Sequence, residues 1–272
     1  MEIKTIVKDE QYLFNFAFCG GVAGFKEKIN KLAKLAEEEK WCFEENDDLW
    51  ILKNYILKTF ERCYHQCKIS YSTDGSSCLF NTGLMTENGN DIYGYFSKNL
   101  KPNAQNWFFN DFVSSDDRRL SNFSFNKPLL ADYCDDPKDF YFDTSLPIEF
   151  ASSHIFDDNI DTEETESKEQ RYPQELLSLG KPVITALVRD AFETSKKKVM
   201  RNNRLVVPQF YKSKIMYLMP ISIPLSTKNI LMALAIERQE NNTYRANTIF
   251  TIEMAYPKAR LIMKPESNWL IK

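Results

Sequence analysis

Four short segments between Lys68 and Val113 constrain this chain most: "KISYST", "SSCLFNTGLM", "DIYGYFS" and "NWFFNDFV". Each is rich in aromatic or β-branched residues, and turn signals such as "STDGSS" and "TENGND" separate them. Runs of this length, closed by glycine, asparagine, aspartate and serine, read as strands of an antiparallel meander. The preceding chain has a different period. In "GFKEKINKLAKLAEEEKWCF", Phe25, Ile29, Leu32, Leu35 and Ala36 form one apolar stripe at helical spacing. In "DDLWILKNYILKTFERCYHQC", Leu49, Leu52, Ile56 and Phe60 form a second, and the leading aspartates are placed to cap it.

The second half repeats the mixture. "KPVITALVRDAFETSKKKVMRNN" reads as a helix with a proline in its first turn and a basic end. From Leu205 to Leu261 the chain reads as three or four strands: "RLVVPQFY", "KIMYLMPISIP", "NILMALAIERQ" and "YRANTIFTIEMAY". The class expected is α+β, mostly antiparallel sheet flanked by helices. Between the halves lies "DDNIDTEETESKEQ", residues 157–170, with seven acids and one lysine. Such a run cannot bury enough apolar area to order itself. The 272 residues are therefore expected to form one domain, or two lobes (1–156 and 171–272) joined by a mobile acidic loop, 157–170.

Composition narrows function by exclusion. Eight glycines in 272 residues argue against a glycine-rich phosphate loop, and a net charge of −3 against a uniformly basic nucleic-acid coat. Any polyanion contact must come from a local patch. No run approaches the ~18 apolar residues of a membrane span, and "MEIKTIVKDEQYLF" lacks an export signal's apolar core. A cytoplasmic protein without membrane contact is expected. Its six cysteines never form a CxxC pair and read as reduced thiols. Cys63, His65 and Cys67 are the only arguable metal ligands, and three ligands in one short segment make a poor tetrahedron. No metal site is expected there.

The stretch "LAIERQENNTYRANTIFTIEMAY", Leu234 to Tyr256, reads as a hairpin with its turn at Asn241-Asn242, a pair suited to positive φ. Pairing Ala235 with Thr248 and Ala233 with Phe250 makes a core face of Leu231, Ala233, Ala235, Phe250, Ile252 and Met254. The other face then carries Met232, Leu234, Ile236, Asn247, Thr251 and Glu253, with Arg238 directly opposite Arg245. Like charges so placed cost a few tenths to about 1 kcal/mol. A phosphate between them reverses that sign. The same pair pointing into solvent, or neutralised by Glu237, Glu240 or Glu253, has no such meaning.

Arg201 and Arg204 in "SKKKVMRNNR" and Lys258 and Arg260 in "YPKAR" supply further positive charge. Arg118 and Arg119 read as local partners of Asp116 and Asp117. In "LFNTGL", Asn81 shares a strand face with Gly83, whose presence suggests a bulge or a close approach. Three functions follow. The first is an RNA- or nucleotide-binding domain using Arg201, Arg204, Arg238, Arg245 and Arg260 on phosphates, with Asn81 reading a base and Tyr93, Tyr95, Trp107 or Phe109 stacking it. The second is a hydrolase or nuclease acting on a phosphoester of the same ligand, with Glu253 or Glu61 as base or as ligand to a divalent ion. The third is a non-catalytic regulatory domain that meets a protein partner.

The segments "ILKNYILKTFER", "FNTGLMTENGNDIYGYF", "WFF", "DRRL", "ADYCDDPKDFYFD", "NNRLVVPQFY" and "FTIEMAYPKARLIMKPESNWL", in that order, resemble a widespread bacterial family known only as a domain of unknown function. The resemblance runs from about Phe14 to Leu270. It implies an RNA-linked role by association, through members fused to cold-shock domains or to small winged-helix modules. The matching positions are Asn81, Gly83, Arg118, Arg119, Arg204, Gln209, Glu253, Tyr256 and Arg260. Where the pattern commonly has asparagines before Ala259, this chain has Pro257 and Lys258.

Overall fold

The computed structural model describes residues 12–43, 48–123, 127–152, 155–156, 171–226 and 228–271. Helices and two five-stranded, mostly antiparallel sheets give the α+β class expected. The chain divides into two compact units, Met1–Asp132 and Tyr133–Lys272. The division falls ahead of the acidic run, which lies outside the described residues. The reason is strand pairing: Ile148–Phe150 pairs in parallel with the strand Tyr244–Phe250, which fixes the chain before the acidic run to the second unit.

In the first unit, β2 (Ser70–Tyr71), β3 (Ser77–Met85), β4 (Asp91–Lys98) and β5 (Trp107–Ser114) form the expected meander. A two-residue strand β1 (Ala17–Phe18), which follows a short helix α1 (Tyr12–Phe16), pairs in parallel with β5. Helix α2 (Gly21–Leu35) buries Phe25, Ile29 and Leu32, and α3 (Trp50–His65) buries Leu52, Ile56 and Phe60, as their apolar stripes require. The expected aspartate cap on α3 is not made. Leu49 occupies the cap position with φ 52°, and Asp48 pairs instead with Lys26 and Lys53.

The core of this unit is aromatic. The Phe60 ring meets Phe80 edge-on at 5.2 Å and Phe96 at 5.9 Å. The Phe80 ring takes the space beside its cross-strand neighbour Gly94, where a Cβ would stand 2.0–2.9 Å from three ring atoms. Gly94 is therefore a glycine because a ring occupies the space of its side chain.

In the second unit the sheet order is β6-β10-β9-β8-β7, with β6 (Ile148–Phe150), β7 (Val207–Tyr211), β8 (Lys214–Pro224), β9 (Asn229–Arg238) and β10 (Tyr244–Phe250). A short helix α4 (Gln174–Leu177) precedes α5 (Lys181–Val199), which has the expected proline in its first turn and three lysines in its last. Ile184, Val188 and Phe192 of α5 share a core with Met219 and Ile221 of β8 and with Met232, Leu234 and Ile236 of β9. The expected faces of β9 are thus exchanged. The face expected to present Arg238 is the one sunk under α5, and Ala233 and Ala235, expected as core, lie on the opposite face. Both faces are buried, so alternation could not tell them apart.

The opposite face meets a helix where the residue pattern of "YRANTIFTIEMAY" predicts strand. β10 stops at Phe250, Thr251 caps α6 (Ile252–Arg260) by accepting from the Met254 N–H at 3.4 Å, and a last turn α7 (Asn268–Ile271) follows. Among the described residues no helix is long and apolar enough to cross a membrane.

Gly94→Ala is expected to destabilise the first unit by about 2–3 kcal/mol, since Phe80 has nowhere to move. Phe80→Leu in the same chain should recover part of it in denaturant unfolding. The cysteines allow a second check. Burial pushes Cys19 and Cys63 up to about 12 and raises Cys78 as well, whereas Cys67 is exposed and Cys42 and Cys134 are half-buried. A thiol reagent at pH 8 should label only Cys42, Cys67 and Cys134 in the folded chain, and all six after unfolding.

Candidate functional site

The β9–β10 hairpin carries the geometry that matters. Its turn is where the sequence places it, with Asn242 at φ 59° and the Asn241 side chain accepting from Thr243. Thr248 pairs with Ala235 and Phe250 with Ala233, again as expected. Between Thr248 and Ala246 the register shifts, because Asn247 is an extra residue in β10. Arg245 consequently lies opposite Glu237, with Glu149 as its neighbour on β6, and Arg238 lies opposite Tyr244. The two arginines are not a cross-strand pair. The bulge sets an acidic residue, rather than an arginine, opposite Arg245 in the ladder.

The same bulge furnishes one wall of a cleft of about 520 Å³ on the Ala235 face of the sheet. Asn247 donates its amide to Glu237 Oε2 at 3.1 Å, and Lys214 Nζ donates to Oε1 of the same carboxylate at 3.4 Å. Ala235 lies in the floor, where a larger side chain would fill the space. Tyr211 and Phe250 present rings on the rim, and Lys258 of α6 reaches over both, 5.4 and 5.3 Å from their centroids. Arg171 lies over Phe250 at 5.5 Å and donates to the Thr248 hydroxyl. With Lys212, four cationic side chains and one carboxylate line the cleft.

Two features of this site are costly to the fold. Gln209 of β7 is only 1% exposed, yet its Oε1 has no hydrogen-bond partner among the described residues. A buried acceptor left unpaired costs about 1–3 kcal/mol. The β7–β8 hairpin turns through Lys212 and Ser213, at φ 48° and 61°. Such turns favour asparagine and glycine, so lysine and serine here hold a strained backbone that sets Lys212 and Lys214 at the mouth.

None of the arginines singled out from sequence lines this cleft. Arg201 donates to the Lys197 carbonyl at 2.6 Å and closes the end of α5. Arg204 is exposed and lines a separate groove of about 1350 Å³ with Phe140, Tyr141 and Trp269. Arg260 is buried in the last turn of α6, and Arg238 is exposed at the end of β9. Asn81 is buried and locally satisfied, accepting from the Gly83 N–H at 2.8 Å and donating to the Pro128 carbonyl at 3.4 Å. Gly83, at φ 73°, faces the Tyr55 hydroxyl, so the close approach expected there is to a side chain of the same unit.

Glu61 pairs with Lys58 at 3.3 Å in the first unit, whereas Glu253 is exposed in the second. Tyr93 and Phe109 are core residues, Trp107 stacks on Phe16, and Arg119 lies over Tyr95 while also pairing with Asp117. Among the described residues no group of three His, Cys, Asp or Glu is placed to hold a metal ion. Sequence reading missed Arg171, Lys212 and Lys214. Gln209 carried a signal, as an amide inside the apolar run "RLVVPQFY".

Comparison with curated proteins and with solved structures gives no match. A family model described as a domain of unknown function, DUF3825, matches residues 32–269 and so takes in residues of both units. The chain belongs to the DUF3825 family.

Proposed function

We propose that the second unit binds a phosphorylated nucleoside, free or within single-stranded RNA, in the cleft between the β7–β8 hairpin and the β10 bulge. One observation carries this reading: four cations converge on a concavity with two rim aromatics, in a chain whose net charge is −3. Lysine and arginine hold phosphate oxygens, and Tyr211 and Phe250 offer faces on which a base stacks. The family's expected association with RNA-linked modules points to the same class of ligand. Binding is favoured over phosphoester hydrolysis by the donor set. The single lining carboxylate, Glu237, is already engaged by Asn247 and Lys214, whereas a hydrolytic centre draws on several converging carboxylates.

The test is titration of the whole chain with a fluorescent single-stranded RNA at several salt concentrations, with mononucleotides as competitors. Lys212→Asn with Lys214→Ala removes two charges, and asparagine suits the left-handed backbone at 212, so the melting temperature should hold or rise. RNA affinity should fall about tenfold, and the slope of log K against log salt should flatten by about 1.4, or 0.7 for each lost phosphate contact. Arg238→Ala with Arg245→Ala should leave affinity within about twofold, because neither side chain lines the cleft. Unaltered binding in the lysine variant would remove the proposal. Displacement of RNA by mononucleotide would identify the free nucleotide as sufficient, and failure to displace it would assign the site to RNA.

A further inference from the structure

We infer that the base this cleft selects is guanine. The inference rests on the nucleotide-binding reading above and adds to it the chemistry of the floor. The cations account for phosphates, but they leave unexplained why a glutamine is buried with its carbonyl oxygen unpaired among the described residues. A buried acceptor without a donor calls for an explanation, and in the wall of a cleft a donor from a ligand supplies one.

The floor is rich in acceptors. Gln209 Oε1 accepts no hydrogen bond from the described residues. Asn247 gives one of its two amide N–H groups to Glu237, and its Oδ1 is an acceptor. Each Glu237 oxygen takes one hydrogen bond, from Asn247 or Lys214, and a carboxylate oxygen accepts more than one. Gln209 and Glu237 lie on the same sheet face, on β7 and β9, which flank β8. A ligand that satisfies them must present several N–H groups side by side.

Among the common bases only guanine does so, with N1–H and the exocyclic N2 amine adjacent on its pairing edge. Uracil offers one ring N–H. Adenine and cytosine each offer a single exocyclic amine next to a ring acceptor, which a lone amide would match but a neighbouring carboxylate would repel. Guanine's remaining polar edge, O6 and N7, consists of acceptors that pair with lysine or arginine, and those line the rim. Unpaired acceptors below and cations around the mouth thus complement the two polar edges of one base.

The experiment is calorimetric titration of the full chain with GMP, IMP, AMP and UMP, alongside ribose 5-phosphate. IMP differs from GMP only by the missing N2 amine. GMP should bind about tenfold more tightly than IMP, AMP or UMP, the discrimination expected for one well-placed base contact. Gln209→Leu should bring GMP down to the others while holding or raising the melting temperature, since it removes an unpaired buried acceptor. A glutamine with a merely structural role would lower the melting temperature and leave the base preference intact. Glu237→Gln, at a half-buried position, supplies a second variant and should also abolish the preference.

Equal binding of all four nucleotides would overturn the guanine assignment while leaving phosphate recognition standing, as would preference for AMP. Persistence of the preference in both variants would overturn it as well. Failure of every nucleotide and of RNA to bind would bring down both readings.

Discussion

One inserted residue organises the second unit. Asn247 interrupts the β9–β10 ladder, and everything between it and the turn is offset by one position. Without the insertion, Arg238 and Arg245 would oppose each other across the strands, an arrangement that disfavours the sheet by up to about 1 kcal/mol. With it, Arg245 stands opposite Glu237 in the ladder, and Asn247 donates its amide to the Glu237 carboxylate. A bulge re-aims the side chains around it. Here it aims an amide and a carboxylate into the cleft and leaves the ladder beyond Thr248 in ordinary register.

The cleft also depends on a sheet covered on both faces. Helix α5 fills one face with Ile184, Val188 and Phe192, so that face has no room for a ligand. On the other, α6 packs against β7, β9 and β10 and contributes Lys258 to the cleft. A small residue at Ala235 keeps the floor low, and Gln209 is buried beside it in the cleft wall. Among the described residues, an acceptor without a partner and two non-glycine residues at positive φ fall within one small region. Local costs of this kind concentrate where a structure is organised to bind.

Much of the fold is legible in the residues. The helices announce themselves through Phe25–Ile29–Leu32 and Leu52–Ile56–Phe60, and the meander through its turn clusters. Strand β9 is not legible in the same way. "NILMALAIER" is apolar on both faces because helices cover both, so period-2 alternation carries no orientation. The passage from strand to helix at Thr251 was also hidden, since "NTIFTIEMAY" is rich in β-branched and aromatic residues and only the threonine cap marks the change. The candidate site was less legible still. Turn position and outer register followed from Asn241-Asn242, but a bulge has no signature in a single sequence, and it decides which charges meet. Cations from the chain before α4, the β7–β8 turn and α6 converge only through the tertiary fold.

The most direct measurement is photo-cross-linking of the whole chain to single-stranded RNA carrying 4-thiouridine and guanosine, followed by mass spectrometry of the adducts. Adducts should concentrate on Tyr211 and Phe250, the rings at the cleft mouth. Cross-links confined to aromatic residues of the first unit, such as Trp107 or Tyr95, with Tyr211 and Phe250 unmodified, would contradict the placement of the site.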